Sequence, residues 1–139
     1  MLFPKKVKFR KWQRGRENPN KIKIATRGNK ISFGSFGLKA SESKELKVNQ
    51  IEAARKAMSK FIQKGGKIWI RVFASKPLTA KPAEVGMGKG KGDPVGFVAQ
   101  VRPGTVIFEI DGLDEATSRE ALRKGGAKLP VKSKIISRN

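Results

Sequence analysis

The side chains in this sequence that can do chemistry are mostly cations. The 139-residue chain holds 32 Lys and Arg against 11 Asp and Glu, a net charge of +21 at neutral pH. It has no histidine and no cysteine, so the usual general base, the commonest metal ligand and thiolate metal sites are missing. Like charges in this excess repel one another, whereas cations that bind nucleic-acid phosphates release condensed counterions. The composition therefore predicts a protein that works on nucleic acid.

The carboxylates offer little for catalysis. Glu109 and Asp111 are two residues apart in a strand-like segment and would share a face. Asp114 and Glu115 open a helical pattern, where an N-cap and a first-turn acid suit the helix dipole. An enzyme without His or Cys would need an acid cluster or a cofactor motif, and the sequence shows neither. We predict no enzymatic activity, no metal site and no cofactor.

A loop rich in glycine and lysine is the second candidate feature. Residues 86–92 alternate four glycines with Met87, Lys89 and Lys91. Glycine lets the backbone approach another backbone closely, and the lysines add point charges along it. Gly92 follows Lys91 where a nucleotide P-loop needs Ser or Thr. The pattern favours contact with phosphate or ribose, with a flexible linker as the alternative.

The first 20 residues are interpreted as a basic arm that needs a partner to order it. Residues 1–30 carry 11 Lys or Arg and a single acid, Glu17. Aromatic side chains on a tail have little to pack against, and stacking on a nucleobase is a natural use for them. A disordered solubilising tail is the alternative. The candidate contacts in the arm are Lys5, Lys6, Lys8, Phe9, Arg10, Lys11, Trp12, Arg14 and Arg16.

Hydrophobic periodicity predicts an α+β domain over 21–139, with residues 84–94 as its Gly/Lys loop. The predicted elements are a hairpin over 22–25 and 31–33 that runs on to Leu38, a helix over 50–64, a strand over 67–73, a hairpin over 95–101 and 106–110, a helix over 115–124, and a strand over 131–137. Hairpins mixed with helices indicate a largely antiparallel or mixed sheet. Residues 75–94 show little periodicity.

Capping residues set the predicted helix ends. Asn49 as N-cap with Glu52 as its partner would begin the first helix, and Gly65-Gly66 would end it. Asp114 would cap the second helix, and Gly125-Gly126 would end it. The i,i+4 pairs Glu115–Arg119 and Glu120–Lys124 would support that helix.

Turn and strand chemistry gives three further predictions. Residues 102–105, Arg-Pro-Gly-Thr, suit a type II turn. Gly34 and Gly37 indicate a bulge or a close backbone approach. Residues 67–73 would place isoleucines and Val72 on the core. Their other face would be either a nucleic-acid platform or a surface covered by the arm or a helix; it carries Lys67, Trp69, Arg71 and Phe73.

Several segments together resemble a known family. They are Pro4-Lys-Lys6, Phe9-Arg-Lys11, residues 32–40 (SFGSFGLKA), 50–58 (QIEAARKAM), 66–73 (GKIWIRVF), 87–92 (MGKGKG) and 127–130 (AKLP). In this order they resemble bacterial large-subunit ribosomal protein sixteen over nearly the whole chain. One departure is Gly86, where the family commonly has Arg.

The resemblance implies a hammerhead-type α+β fold and a structural component of the large ribosomal subunit. It implies binding of large-subunit rRNA near the aminoacyl-tRNA site, contact with A-site tRNA and, as an open alternative, P-site tRNA, and neighbouring large-subunit proteins. The candidate rRNA contacts are the arm residues with Arg55, Lys56, Lys60 and Arg71, and a solvated surface is the alternative for the cations of the first helix. The candidate tRNA contacts are Met87, Gly88, Lys89, Gly90 and Lys91.

We therefore expect a ribosomal protein in the cytoplasm or in an organelle, with no membrane partner and no homo-oligomer. The alternative is a non-ribosomal basic protein that compacts RNA or DNA, which would share the charge but would not need the Gly/Lys loop.

Overall fold

The computed structural model describes residues 4–6, 24–62, 65–80 and 93–138. Its elements are β1 (Phe36–Ala40), β2 (Lys44–Lys47), α1 (Val48–Ser59), β3 (Lys67–Ile70), β4 (Lys76–Ala80), β5 (Asp93–Val101), β6 (Val106–Asp111), α2 (Glu115–Gly126) and β7 (Ser133–Ser137). Two helices and two antiparallel sheets confirm the predicted α+β class.

The larger sheet has the strand order β3-β6-β1-β7. One row across it joins Ile70, Phe108, Leu38 and Ile135, and these apolar side chains lie in or against the core beside the helices. The next row joins Trp69, Glu109, Gly37 and Ile136 and faces the opposite way, because side chains alternate along a strand. The sheet thus has a helix face and a second face that carries a carboxylate.

The smaller sheet has the order β2-β5-β4. Leu46 and Val98 are fully buried in it. Lys76 is also buried, and its Nζ donates to Glu45 at 2.6 Å. Neither β2 nor β4 was predicted from the sequence, and β4 lies in the segment that shows little periodicity. Edge strands of four or five residues carry too few alternations to be recognised.

The two helices pack closely through Gly125. A Cβ at this position would lie 2.6 Å from Cγ of Met58, so only glycine lets α2 approach α1 this closely. The prediction that Gly125-Gly126 ends the helix is wrong, because α2 runs through Gly126 to a C-cap at Ala127. Gly125 is present for packing between the helices rather than for termination.

The start of α1 also differs from the prediction. The helix spans Val48–Ser59 with Lys47 as N-cap, not Asn49. It also ends at the C-cap Lys60, so the prediction that it runs to residue 64 and ends at Gly65-Gly66 is wrong. The Gln50 Oε1 accepts the backbone N–H of Lys47 at 2.9 Å, while Glu52 pairs with Arg55 instead. In α2, Asp114 caps as predicted by accepting from Thr117, but Glu120 pairs with Arg123 rather than with Lys124.

The predicted second hairpin is a corner between the two sheets. Residues 102–105 form the predicted turn, with Gly104 at φ +99° and the Thr105 N–H donating to the Arg102 carbonyl at 3.0 Å. However, β5 belongs to the smaller sheet and β6 to the larger one. The local turn was therefore predicted correctly, and the pairing of the two strands was wrong.

The predicted first hairpin is not formed, since residues 24–35 contain no strand. The strands predicted over 67–73 and 131–137 are shorter in the structure, where β3 spans Lys67–Ile70 and β7 spans Ser133–Ser137. Residues 24–35 instead cross the second face of the larger sheet, as contacts along their length show. Ala25 donates to the Pro103 carbonyl, and Ser35 donates to the Ile110 carbonyl.

Candidate nucleic-acid interface

A buried carboxylate fastens residues 24–35 to the sheet. The side chain of Glu109 is fully buried on the second face of β6. Its Oε1 accepts the backbone N–H groups of Ser32, Phe33 and Gly34 at 3.0, 2.7 and 2.8 Å. Its Oε2 accepts from the guanidinium of Arg71. These four donors replace the water that the carboxylate loses on burial.

The electrostatics of Glu109 favour its charged form. Burial alone would raise the pKa of this carboxyl. The backbone hydrogen bonds from Gly34 and Phe33 and the charge of Arg71 outweigh burial and hold the pKa below its ordinary value. Glu109 is therefore an anion at neutral pH that orders both the crossing segment and Arg71.

Gly34 explains why the segment can lie so close to the sheet. A Cβ there would be 2.6 Å from the carbonyl oxygen of Ile110. At Gly37, a Cβ would lie 3.1 Å from the carbonyl oxygen of Phe108 and 3.2 Å from the Ile31 side chain. The predicted close backbone approach at both glycines is confirmed, and the β1–β6 register also shifts between Leu38 and Lys39.

An aromatic cluster lies above Glu109. The ring of Phe33 stacks on Trp69 with 6.0 Å between centroids and 22° between planes. The Arg71 guanidinium lies 5.1 Å from the Phe33 centroid. Phe33 remains 55% exposed and Phe73 remains 49% exposed. Phe33 of the crossing segment therefore covers part of Trp69 on this face.

A groove opens between residues 29–31 and the strands β1 and β7, and we call it the β7 groove. It has a volume of about 460 Å³. Ile31 and Ile136 form its apolar lining, and its polar lining is Asn29, Lys30, Lys39, Ser137 and Arg138. In the part of the chain that the structure describes, none of these three cations forms an ion pair with a carboxylate. The groove is therefore a concentrated positive site.

A smaller groove adjoins the β7 groove at Lys39. It has a volume of about 260 Å³ and shares Lys39 with the β7 groove. Its other cation is Lys134, which lies directly opposite Lys39 in the β1–β7 register. Like charges directly opposite in an antiparallel pair are destabilising. The fold thus places two lysines together where each repels the other.

The predicted cations that the structure describes lie in several places. Lys56 and Lys60 are exposed on or just after α1, and Arg55 is half-buried with Glu52 at 3.1 Å. Arg71 is held by Glu109 and is largely covered. Lys5 and Lys6 are exposed. The structure therefore does not gather these candidates into one cluster.

The other candidates lie outside the described residues. They are Lys8, Phe9, Arg10, Lys11, Trp12, Arg14 and Arg16 of the arm, and Met87, Gly88, Lys89, Gly90 and Lys91 of the Gly/Lys loop.

The carboxylates considered for catalysis have structural partners. Glu109 accepts hydrogen bonds from three backbone N–H groups and from Arg71. Asp111 accepts from the Ser35 hydroxyl at 2.7 Å. That hydrogen bond is the main cause of the lowered pKa of Asp111. Among the described residues, no group of three or more Asp or Glu side chains is placed to hold a metal ion.

The comparison with protein families accounts for this combination of a small α+β domain and a strongly cationic surface. The model of the family described as ribosomal protein L16p/L10e matches residues 4–136. The chain belongs to this family. As an L16p/L10e protein it is a structural RNA-binding component of the large ribosomal subunit, a ribonucleoprotein that serves translation. The family is non-enzymatic, and its members bind large-subunit rRNA and ribosomal proteins.

The match settles the predicted alternatives in favour of a ribosomal protein over a non-ribosomal compacting protein. It places the chain in a ribosome, in the cytoplasm or in an organelle. No helix in the described ranges is long and apolar enough to span a membrane.

Sequence reasoning did not identify the cations of the two grooves. Lys30, Lys39 and the pair Lys134 and Arg138 come from three separate segments of the chain. They meet because β1 pairs with β7 and because Glu109 holds residues 32–34 against the sheet. The available sequence signal is the concentration of cations at 132, 134 and 138 near the C-terminus.

Proposed function

We propose that this L16p/L10e protein binds large-subunit rRNA near the aminoacyl-tRNA site and helps to position A-site tRNA. The observation that carries the proposal is the family match over residues 4–136. The net charge of +21 supports it, because phosphate neutralisation supplies much of the affinity of RNA-binding proteins. The mechanism is positioning: the folded domain docks through phosphates and RNA shape, without chemistry.

The arm and the Gly/Lys loop have separate proposed roles. The arm residues from Lys5 to Arg16 bind a crowded junction of rRNA backbones, and they order on binding. The loop at 86–92 approaches tRNA, where Lys89 and Lys91 stabilise negative charge without reading bases. Lysine suits contact with many different tRNAs because its ammonium is a compact point charge.

The tRNA role is tested with the double variant Lys89→Gln/Lys91→Gln in reconstituted large subunits. We expect weaker A-site tRNA binding with normal incorporation of the protein, because a short loop contributes little to docking. The matched control is Lys124→Gln/Lys128→Gln, which removes the same charge from exposed positions in and after α2. An incorporation defect as large as the tRNA defect would contradict the loop assignment.

The rRNA role is tested by the affinity of the purified protein for a large-subunit rRNA transcript. We expect binding that weakens steeply as salt increases. Omission of the protein from reconstitution should give particles with poor A-site tRNA binding. Normal particles without it would refute the proposed function as a whole.

A further inference from the structure

We infer that the β7 groove binds the phosphodiester backbone of an RNA strand. The inference deepens the proposed function and rests on it, because it names a contact surface for the rRNA. It concerns residues outside the arm, the α1 cations and the Gly/Lys loop. The surface is defined by Lys30, Lys39 and Arg138, with Lys134 in the adjoining smaller groove.

Charge is the first argument. Lys30 and Arg138 are exposed and Lys39 is half-buried, and all three line a single depression. The charge of Arg138 helps to lower the pKa of Asp111, but that carboxylate is hydrogen-bonded to Ser35 and forms no ion pair with Arg138. A site with three cations and no acid in its lining is complementary to a polyanion.

The pairing of Lys39 with Lys134 is the second argument, and it is independent of the groove's shape. Two lysines directly opposite in adjacent strands destabilise the free protein. A phosphate between or beside them would turn that repulsion into attraction. The pair of lysines therefore stabilises a complex with a bound anion, whereas it destabilises the isolated domain.

The shape and the polar groups favour a nucleic-acid backbone as the occupant. Asn29 and Ser137 add uncharged hydrogen-bonding side chains beside the cations, and such groups commonly bind phosphate oxygens. The apolar lining at Ile31 and Ile136 can accommodate a ribose. The two grooves adjoin at Lys39, so consecutive phosphates of one strand can occupy both.

The rigid floor of the site is the third argument. Glu109 fixes the backbone of residues 32–34 through three hydrogen bonds, and Arg138 donates its backbone N–H to the Ser35 carbonyl at 2.8 Å. The cations on either side of the groove thus project from anchored backbone. Preorganised cations lose less conformational entropy when they bind.

The test compares salt dependence in three proteins: the wild type, the groove variant Lys30→Gln/Lys39→Gln/Arg138→Gln, and a control. The control Lys44→Gln/Lys124→Gln/Lys128→Gln removes the same charge from exposed positions elsewhere. Affinity for the large-subunit rRNA transcript is measured from 50 to 300 mM KCl. We expect the slope of log K against log salt to become shallower by about 2 in the groove variant, since each phosphate contact contributes about 0.7.

Equal changes of slope in the groove variant and the control would overturn the inference, because the effect would then be one of total charge. If the wild type binds the transcript and the groove variant keeps the wild-type slope, the inference about the β7 groove is wrong and the proposed function is unaffected. Absence of wild-type binding would overturn the proposed function as well, so the two failures are distinguishable.

A second measurement does not depend on the folding of a triple variant. The chain has no cysteine, so Ser137→Cys in the groove and Ala116→Cys on α2 each give a single exposed thiol. We expect the transcript to slow alkylation at position 137 much more than at position 116. Unchanged alkylation at 137 would overturn the inference. Protection that appears only in assembled subunits would assign the groove to a neighbouring protein and would also overturn it.

Discussion

Glu109 connects the interior of the larger sheet with the surface above it. A buried charge is tolerated only when hydrogen bonds and an opposite charge replace its solvation. Glu109 has both, in the three backbone donors of residues 32–34 and in Arg71. Glu109 thereby restrains residues 32–34, while backbone hydrogen bonds at Ala25, Gly28 and Ser35 hold the rest of the crossing segment.

The variant Glu109→Gln should therefore destabilise the domain by about 3 kcal/mol, within the range for breaking a buried pair. The amide retains the size of the side chain but leaves Arg71 without a counter-charge. Denaturant unfolding at pH 7 measures the loss. Glu52→Gln is the control, since its partner Arg55 is 40% exposed, and pairs of that kind contribute at most about 1 kcal/mol.

The same ion pair predicts a pH dependence. The pKa of Glu109 is lower in the folded protein than its ordinary value, so its contribution is complete above the unfolded pKa of about 4.3. The contribution is lost as the pH falls through the lower, folded pKa. The difference in unfolding free energy between wild type and Glu109→Gln should therefore shrink below about pH 4. A difference that is constant from pH 7 to pH 3 would contradict the assignment of Glu109 as the anion.

Gly34 gives a prediction that depends on volume rather than charge. In Gly34→Ala the new methyl group would lie 2.6 Å from a backbone oxygen of β6, and the segment must lift to relieve the overlap. We expect a loss of about 1–3 kcal/mol, as for overpacked sites, with weaker Phe33–Trp69 stacking seen in tryptophan fluorescence. Gly96→Ala is the control, because a Cβ there meets nothing within 4 Å. Equal effects at both positions would exclude the close approach as the cause.

At the scale of elements, the pairing of β1 with the edge strand β7 carries a cost. Lys39 and Lys134 are opposite one another, and their repulsion lowers the stability of the free domain. Lys134→Glu should stabilise the isolated protein by about 1 kcal/mol, since a repulsive cross-strand pair becomes attractive. Thermal unfolding measures the gain, and affinity for the rRNA transcript should fall in the same variant.

The control for this element is Lys128→Glu, which has the same change of charge in the exposed segment after α2. It lowers the net charge equally but does not alter the β1–β7 pair. A stability gain as large as that of Lys134→Glu would show that global charge, rather than the cross-strand pair, is the cause.

The elements that the sequence predicts well are those decided by neighbours in the chain. The Asp114 cap, the turn at 102–105 and the period of β6 depend on a few consecutive residues, and all three are found. The path of residues 24–35 depends on Glu109, about 75 positions away, and alternation alone suggests a hairpin there. Likewise, the pair Gly125-Gly126 is typical of a helix end, but the close approach of Gly125 to Met58 in α1 decides its role.

The candidate site follows the same division. Composition predicts a nucleic-acid partner, and the ordered motifs indicate the family. The β7 groove could not be predicted, because its cations come from three separate segments. Arg71 illustrates the converse, since its position on a strand suggests a platform for RNA, and only the fold reveals the buried carboxylate that holds it.

At the scale of the whole molecule, attraction and repulsion among surface charges compete. The ion pairs within the helices are exposed, so each stabilises the fold only slightly. The covered pairs Arg71–Glu109 and Lys76–Glu45 contribute more, but each acts only over a short distance. The net charge of +21 acts over the entire molecule. Repulsion should therefore dominate in the isolated protein, and the large ribosomal subunit removes it by surrounding the chain with phosphate.

The balance is tested by the thermal stability of the free protein in increasing NaCl. Salt shortens the Debye length from about 30 Å at 0.01 M to about 10 Å at 0.1 M. We expect the melting temperature to rise by a few degrees over this range, because long-range repulsion is screened more than close pairs are. Lys134→Glu and Lys128→Glu should each show a smaller rise, since each lowers the net charge by two. A melting temperature that falls with salt would mean that attractive pairs dominate, and the surplus of cations would then need no polyanion to offset it.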